Sequence, residues 1–555
     1  MAETDAPPPS VDPRSGFDSR TKIFHSLRPS VPLPPLHLPL SSADHAISLL
    51  CPSTAATPPP DKPAFINSTT GLSLSFSDFL SRVRNLASAI HASTSLSKGD
   101  VAFILAPTSL QIPVLYFSLL SLGIVISPAN PVSTAAEISR QLNLSRPKIA
   151  FATPAVASNL PSDLHVILLD SPDFHSMMLG AGNYHLPYAS PPKIVHQLDP
   201  AAILYSSGTT GNVKGVLVTH RNMIAVTAGM HAVRSLDGEA PDVSLFTVPL
   251  FHVFGLFMCL RAVAAEETVV LMERFDFAGM LKAIETYKVK YMPVSPPLVV
   301  AMAKSPVVDK YDLSSLIGVG CGGAPLSKEV AEKFAQKFPN VMVFQGYGLT
   351  ETFGSVSRAV GPEEIQRYGA TGRLAENVEA KIVDPETGEP LPPGKQGELL
   401  VRSPSIMRGY VGDEVSTAAT LTSDGWLKTG DLCYFDEDGF LYIVDRLKEL
   451  IKYKAYQVAP AELEALLQSH PGIADAAVIP YPDEEAGQIP MAYVVRQPGS
   501  NLSESQVIDF VAKQVAPYKK IRRVAFVDAI PKSPAGKILR KELIKHSQSR
   551  PQSKL

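Results

Sequence analysis

Apolar and polar positions change their period several times along this chain. Phe79, Val83, Leu86, Ala87 and Ile90 recur at helical spacing behind Ser77, which predicts an amphipathic helix with that serine as its N-cap. Short apolar runs, Lys148–Phe151, Val166–Leu169 and Thr268–Met272, alternate with such helices as far as about residue 380. That alternation predicts parallel sheets covered by helices. The longest apolar stretch, Leu110 to Ile126, contains Gln111, Pro113, Ser118 and Ser121. It falls short of the roughly 20 apolar residues a membrane span needs, so it reads as one buried helix, and no stable membrane insertion is expected.

Beyond Gly372 strand-like segments (Ala380–Val383, Gly397–Val401, Phe440–Val444) are separated by Gly, Pro and Asp turns, a β-rich section. The last hundred residues read as a compact α+β unit. Pro460 sits at the first turn of a helix, Ala461–Gln468, where its missing N–H costs nothing. Ala476–Ile479 and Ala492–Val495 read as strands, and Ser503 with Gln506 forms a capping-box pattern opening a helix to Val515. Residues 1–40 carry Pro7, Pro8, Pro9, Pro29, Pro32, Pro34, Pro35 and Pro39 and read as a surface arm with no core of its own. The expected fold class is α/β. A large N-terminal domain (41–444) of helix-covered sheets plus the small β-rich section is followed by a hinge (445–449). A mobile α+β domain (450–545) and a tail (546–555) complete the chain.

At 555 residues two or more domains are expected. Lys plus Arg number 50 against 53 Asp plus Glu, a net charge of −3, which leaves no global reason to expect a nucleic-acid partner. Cys51, Cys259, Cys321 and Cys433 show no paired spacing, which argues against a disulfide framework or a zinc site. Glu3, Asp5, Asp12 and Asp18 with no apolar run exclude a secretory leader. Ser553-Lys554-Leu555 follows the polar stretch Lys545–Lys554 and matches the receptor-read peroxisomal address, so a peroxisomal location and an import receptor as partner are expected.

Candidate chemistry begins at Ala201–Tyr205, a buried strand running into Ser206-Ser207-Gly208-Thr209-Thr210-Gly211-Asn212-Val213-Lys214-Gly215. Glycines, hydroxyls and one lysine supply the backbone donors, O–H donors and point charge that a polyphosphate requires. The order of residues is not that of the GxxxxGK[ST] loop. Ser206–Gly215 resembles the phosphate-binding signature of the adenylate-forming superfamily, which includes acyl-CoA synthetases, luciferases and peptide-synthetase adenylation domains. Within it the chain is most similar to the plant 4-coumarate–CoA ligases and their ligase-like relatives, over residues 40–545. Val213 stands where the family usually has proline.

The resemblance implies an acid–CoA ligase using ATP, Mg²⁺ and CoA. Gln345-Gly346-Tyr347-Gly348-Leu349-Thr350-Glu351-Thr352 resembles the second signature. It implies Tyr347 beside the adenine, Thr350 at the α-phosphate and Glu351 as the Mg²⁺ ligand, a hard oxygen for a hard ion. Asp431, in Gly425–Asp431, would accept from the ribose hydroxyls, and Arg446 would also reach the ribose; the sole Trp, Trp426, would be structural. Lys448 falls in the expected hinge. Lys452-Tyr453-Lys454-Ala455-Tyr456-Gln457 resembles the family's KYKGFQ. Lys452 and Gln457 are then adenylation-state contacts, Lys454 a CoA-state contact, and Ala455 a replacement for glycine beside the pantetheine path. Lys537, in Pro531–Lys537, is the implied catalytic lysine, a mobile cation that offsets the charge of a carboxylate attacking a phosphate.

His252, in Pro249–Gly255, is implied to position the acyl carboxylate or gate CoA entry. The acid is expected among His252, Phe254, Met258, Gly320, Gly322, Gly323, Gly346 and Leu349. Phe254 and Gly320 align with the tyrosine and lysine that meet the phenol in 4-coumarate ligases. Loss of both predicts an apolar acid, either a medium-chain or oxylipin jasmonate precursor or cinnamate. A 4-coumarate ligase proper, a luciferase-like oxygenase and a non-catalytic acid- or nucleotide-binding protein remain as alternatives.

Overall fold

The computed structural model describes residues 10–50, 61–180, 193–206, 213–233, 243–454, 456–533 and 536–549. Two helix-covered sheets carry the large domain. In the first, Val101–Leu105 lies parallel between Val125–Ala129 and Ile149–Ala152, with Pro200–Ser206 beyond. Parallel neighbours need crossovers, which the helices Gln111–Ser121 and Ala135–Ser145 provide. The stretch Leu110–Ile126 is therefore not one helix. It turns at Gly123 (φ +68) and re-enters the sheet as the strand starting at Val125, because glycine accepts that φ and the β-branched residues after it suit a strand.

The second sheet has nine strands, with Met342–Tyr347, Gly318–Cys321, Tyr291–Val294, Val243–Phe246 and Thr268–Leu271 parallel at its centre. The helix expected around Phe79 runs from Phe76 to Ser93. Its cap is Ser75, not Ser77: Ser75 leaves a strand in extended conformation and its side chain accepts from the Asp78 N–H at 3.1 Å.

The β-rich section is an antiparallel sheet of Glu379–Val383, Gly397–Arg402, Leu427–Phe435 and Leu441–Arg446. The proline-rich arm is not merely superficial. Ile23–His25 pairs with Glu379–Val383, and the fully buried Phe24 stacks on Phe435 at 4.3 Å. Farther on, Arg221 and Gln197 donate to the carbonyls of Pro34, Pro35 and Leu38, which fastens a segment poor in its own donors.

The C-terminal unit has a five-stranded sheet and a separate core including Leu463, Val478, Val494 and Val507. Its helix Pro460–Ser469 starts at the proline, and Ser503 and Gln506 form the expected capping box on a helix that ends at Ala512, before Val515. No helix among the described residues is long and apolar enough to cross a membrane. Cys259, Cys321 and Cys433 are buried and free.

Candidate active site

Strand Pro200–Ser206 returns antiparallel as Lys214–Thr219, with Ser206 opposite Lys214, so the two strands form a hairpin. Ser207, Gly208, Thr209 and Thr210 lie outside the described residues. The two posts converge on the second signature. Ser206 Oγ donates to Glu351 Oε1 at 3.1 Å, and the Tyr410 hydroxyl donates to the same oxygen at 3.0 Å. Lys214 Nζ lies 4.3 Å from the Tyr410 ring centroid, a cation–π contact. Burial and the Glu351 charge push the Tyr410 phenol above its ordinary value, so it stays a donor. Tyr410 was not among the expected residues; it arrives through pairing of Gly409–Tyr410 with Lys214–Thr219, which a motif search does not see.

Glu351 and Thr350 share a single 3-10 turn, Thr350–Thr352, at the end of strand Met342–Tyr347. Among the described residues no group of three His, Cys, Asp or Glu could hold a metal. A lone carboxylate beside the Ser206–Lys214 hairpin nevertheless fits Mg²⁺, which commonly takes one or two carboxylates and completes its shell with phosphate oxygens and water.

Asp431 faces Arg446 across antiparallel strands and accepts from the Tyr347 hydroxyl at 2.6 Å. Burial raises its pKa, opposed by that hydrogen bond and by Arg446 and Lys537. From here an ionic chain crosses into the small domain. Arg446 pairs with Glu449 at 2.9 Å, Glu449 with Arg540 at 2.7 Å, and Arg540 with Glu464 at 2.7 Å. Asp445 accepts from the Ala461 N–H at 2.9 Å, at the positive end of the helix beginning at Pro460. Lys448, beside Arg446, is brought down to about 8 by burial first and by that neighbour second.

Lys537 completes the group. Its turn is closed by Ser533 N–H to Lys537 O at 2.8 Å and Lys537 N–H to Ser533 Oγ at 3.2 Å. Burial, then the Arg446 charge, lowers its pKa, while Asp431 and Glu351 raise it. It lines a cavity of about 880 Å³ with Gln345, Gly346, Tyr347, Leu349, Asp431 and Arg446. Lys452 and Gln457 do not join them. They face each other across an exposed hairpin, and Lys454, at φ +52, pairs with Glu485 at 2.7 Å in solvent. Neither residue lines the cavity that Lys537 shares with Asp431 and Arg446, because their hairpin forms the edge of the small domain's sheet. Ala455 lies outside the described residues. Trp426 is buried with Lys381 and Arg402 over its ring at 4.4 and 4.5 Å, a packing role.

A smaller pocket of about 180 Å³ adjoins the large cavity and shares Gly323, Gln345, Gly346 and Tyr347 with it. Its lining includes His252, Phe254, Met258, Gly320 and Gly322, so the expected set is brought together, with Leu349 in the larger cavity. His252 caps helix Val253–Ala264: its Nδ1 accepts the Phe254 N–H at 3.2 Å, which assigns the proton of the neutral ring to Nε2. Burial, reinforced by Lys537, holds its pKa near about 4, so the ring is neutral at pH 7.

Not every lining group of this pocket is apolar. Gly318 and Gly320 of strand Gly318–Cys321, with Gly322 just past its end, alternate along the chain and leave the pocket face without side chains there. The flanking strands fill that gap with Tyr291 and Phe344; a methyl on Gly320 would overlap the Tyr291 hydroxyl. Arg261 also lines the pocket. The polar groups lost at positions 254 and 320 are therefore matched by others from neighbouring elements. The alternating glycines were the signal available in the sequence.

Lys537, carried on the C-terminal unit, thus lines one cavity with the Asp431–Arg446 pair, and comparison with known proteins defines the class as an adenylate-forming acid–CoA ligase. The chain belongs to the AMP-binding enzyme family: that family's model matches residues 52–411, and the AMP-binding enzyme C-terminal domain matches 462–537. It is 57% identical to 4-coumarate–CoA ligase-like 9 of Arabidopsis thaliana, with 96% of each chain covered. It is 46% identical to peroxisomal OPC-8:0-CoA ligase 1 of the same plant, covering 97% of this chain and 99% of that one. Among solved structures, ATP-bound MatB from Rhodopseudomonas palustris superposes with a TM-score of 0.80 at 26% identity, covering 92% of this chain and 99% of that one. The o-succinylbenzoate CoA synthetase of Bacillus subtilis, bound to its acyl-adenylate, gives 0.76 at 26% identity, covering 93% and 99%.

Proposed function

We propose that this enzyme joins a compact, ring-sized carboxylic acid to CoA in two steps. In the first, a carboxylate oxygen attacks the α-phosphorus of ATP, the bond to the leaving diphosphate breaks, and acyl-AMP forms. In the second, the CoA sulfur attacks the acyl carbonyl, AMP leaves, and the thiol proton passes to solvent or a nearby base. The observation that carries this reading is the meeting of Lys537, Asp431 and Arg446 in a cavity joined to the acid pocket through Gly346 and Tyr347.

The residues take roles that follow from their chemistry. Asp431 and Arg446 hold the ribose, and Tyr347 fixes the Asp431 carboxylate. The hairpin, from Ser206 to Lys214, holds the phosphates, and Glu351 would hold Mg²⁺, which when bound neutralises phosphate charge. Lys537 opposes the negative charge that builds as two anions meet. His252, with its proton on Nε2, is a neutral donor that orients the acid's carboxylate. Lys454 serves the CoA half after the small domain turns about 445–449.

The pocket's volume supports a ring-bearing acid. An engineered 150 Å³ cavity accepts one benzene, so about 180 Å³ suits one ring and a short linker rather than a long chain. An acid of the cinnamate type fits that volume; the relative named as an OPC-8:0-CoA ligase supports a ring-bearing oxylipin, whose longer chain would run on into the adjoining cavity past Gly346 and Tyr347. That relative's name also supports a peroxisomal location. CoA-thioester formation by the pure protein across aromatic, straight-chain fatty and cyclopentanone-type acids tests the reading. Ring-bearing acids that lack a phenol hydroxyl should lead; a clear preference for long straight chains or for 4-coumarate would overturn the proposed acid class.

A further inference from the structure

We infer that Tyr410 is a positioning residue of two parts, whose hydroxyl orients Glu351 for the metal and whose ring holds Lys214 for the phosphates. The inference rests on the reading that Glu351 and the Ser206–Lys214 hairpin serve Mg²⁺ and ATP. The backbone around Tyr410 ties those two elements together. The Met407 N–H donates to the Glu351 carbonyl at 2.8 Å, while the Arg408 and Val411 N–H groups donate to the carbonyls of Leu217 and Gly215 at 2.9 and 2.8 Å. Tyr410 itself stands opposite Val216 on the returning strand of the hairpin. Its own N–H donates to Thr417 Oγ1 at 2.9 Å. Thr417 comes that close because Gly409 has no side chain: a Cβ there would lie 2.8 Å from Thr417 Cγ2. The residue is thus fixed at its backbone before its side chain meets the site.

The two parts of the side chain meet different partners. The hydroxyl donates to Glu351 Oε1 at 3.0 Å, beside Ser206 Oγ on the same oxygen at 3.1 Å. Two donors on one oxygen hold the carboxylate against rotation, and among the described residues no hydrogen bond goes to Oε2. Carboxylates that ligate a metal are themselves hydrogen-bonded, and losing such an outer partner commonly costs about ten- to hundredfold in metal affinity. The ring face meets Lys214, whose Nζ lies 4.3 Å from its centroid. An aromatic face attracts an ammonium without cancelling its charge, as a carboxylate would, so the lysine is held in place with its charge available to a phosphate. One side chain therefore couples the group that takes the metal to the group that takes the anion, and its two contacts can be removed separately.

The test is calorimetric titration of ATP into the full-length enzyme, without acid or CoA, in Mg²⁺ and in EDTA. Tyr410→Phe keeps the ring and loses the hydroxyl. It should bind ATP about tenfold more weakly than wild type in Mg²⁺, and within about twofold of wild type in EDTA; Ser206 still holds the same oxygen, which keeps the loss at the low end. Tyr410→Leu loses the ring as well and should weaken binding in EDTA by about a further threefold. On a Glu351→Gln background Tyr410→Phe should cost nothing further in Mg²⁺, because the hydroxyl then has no carboxylate to orient. Wild-type affinity of Tyr410→Phe in Mg²⁺, an equal loss in both buffers, or an additive loss in the double variant would overturn the role of the hydroxyl. Leu and Phe variants that bind alike in EDTA would overturn the role of the ring. Wild-type ATP binding that ignores Mg²⁺ would overturn the inference through Glu351, while thioester formation by the same protein would leave the ligase reading standing.

Discussion

Replacing Lys537 with alanine removes one ammonium and leaves the turn that carries it, since the two bonds between Ser533 and Lys537 are backbone or Ser533 side-chain bonds. An ammonium about 3 Å from a phosphoryl oxygen, at an effective dielectric of about 20, is attracted by roughly 5–6 kcal/mol. Lys537 is only half-buried and Arg446 already supplies positive charge nearby, so the realised loss is smaller. About 3–4 kcal/mol remains, or 10²- to 10³-fold, the size found when one preorganised donor is removed from a transition state. Acid-dependent ATP–diphosphate exchange measures the first step alone. Thioester formation from chemically prepared acyl-AMP measures the second. Exchange in Lys537→Ala should fall by 10²- to 10³-fold, with a far smaller fall in transfer from acyl-AMP and little change in ATP affinity. Exchange within threefold of wild type, or equal losses in both halves, would refute the role given to Lys537.

Three further outcomes follow from the same geometry. Glu449→Gln breaks the link between Arg446 and Arg540 and leaves Arg446 and Lys537 repelling each other; for a partly exposed pair the cost is about 1–2 kcal/mol, so exchange should fall about tenfold. An unchanged exchange rate would show that the ionic chain does not hold the closed arrangement. His45 and His220 are buried and remain neutral down to about 4, whereas an unfolded chain takes up those protons near 6.5. The unfolded state then binds more protons between these values, so stability is lost as pH falls from 6.5 to 4, by up to roughly 3 kcal/mol for each histidine. Urea unfolding across that window should show the loss, and His220→Gln should flatten the slope; stability that rises on acidification would contradict it. A methyl on Gly348 would overlap the Gly354 carbonyl, and the chain between Tyr347 and Glu351 cannot shift without moving both. Gly348→Ala should therefore lose exchange activity together with several degrees of Tm, and a fully active variant would show that this loop tolerates displacement.

Much of the proposed nucleotide site was legible as contiguous segments whose residue types announce their chemistry: the hairpin from Ser206 to Lys214, the turn at Glu351, and the strands bearing Asp431 and Arg446. What was misread depended on partners distant in sequence. Phe24 lies in a proline-rich stretch, yet it is buried because Phe435 and the strand at Ala380 accept it. Ser75 and Ser77 are equally good caps by composition, and only the strand ending at Ser75 decides between them. Leu110–Ile126 is predominantly apolar because both its helix and its strand are buried, so hydropathy alone could not show the break at Gly123. The acid pocket was the least legible part. Positions 254 and 320 announced a loss of polarity, while Tyr291 and Arg261, from a neighbouring strand and the same helix, restore it.

The central claim is that the acid is activated by bonding its own oxygen to the α-phosphorus. A heavy-oxygen label in the acid's carboxylate follows that bond directly. After complete turnover with ATP and CoA, mass spectrometry should find one labelled oxygen in AMP and none in the diphosphate. Unlabelled AMP, or label in inorganic phosphate with ADP as the nucleotide product, would contradict an adenylate and overturn the account.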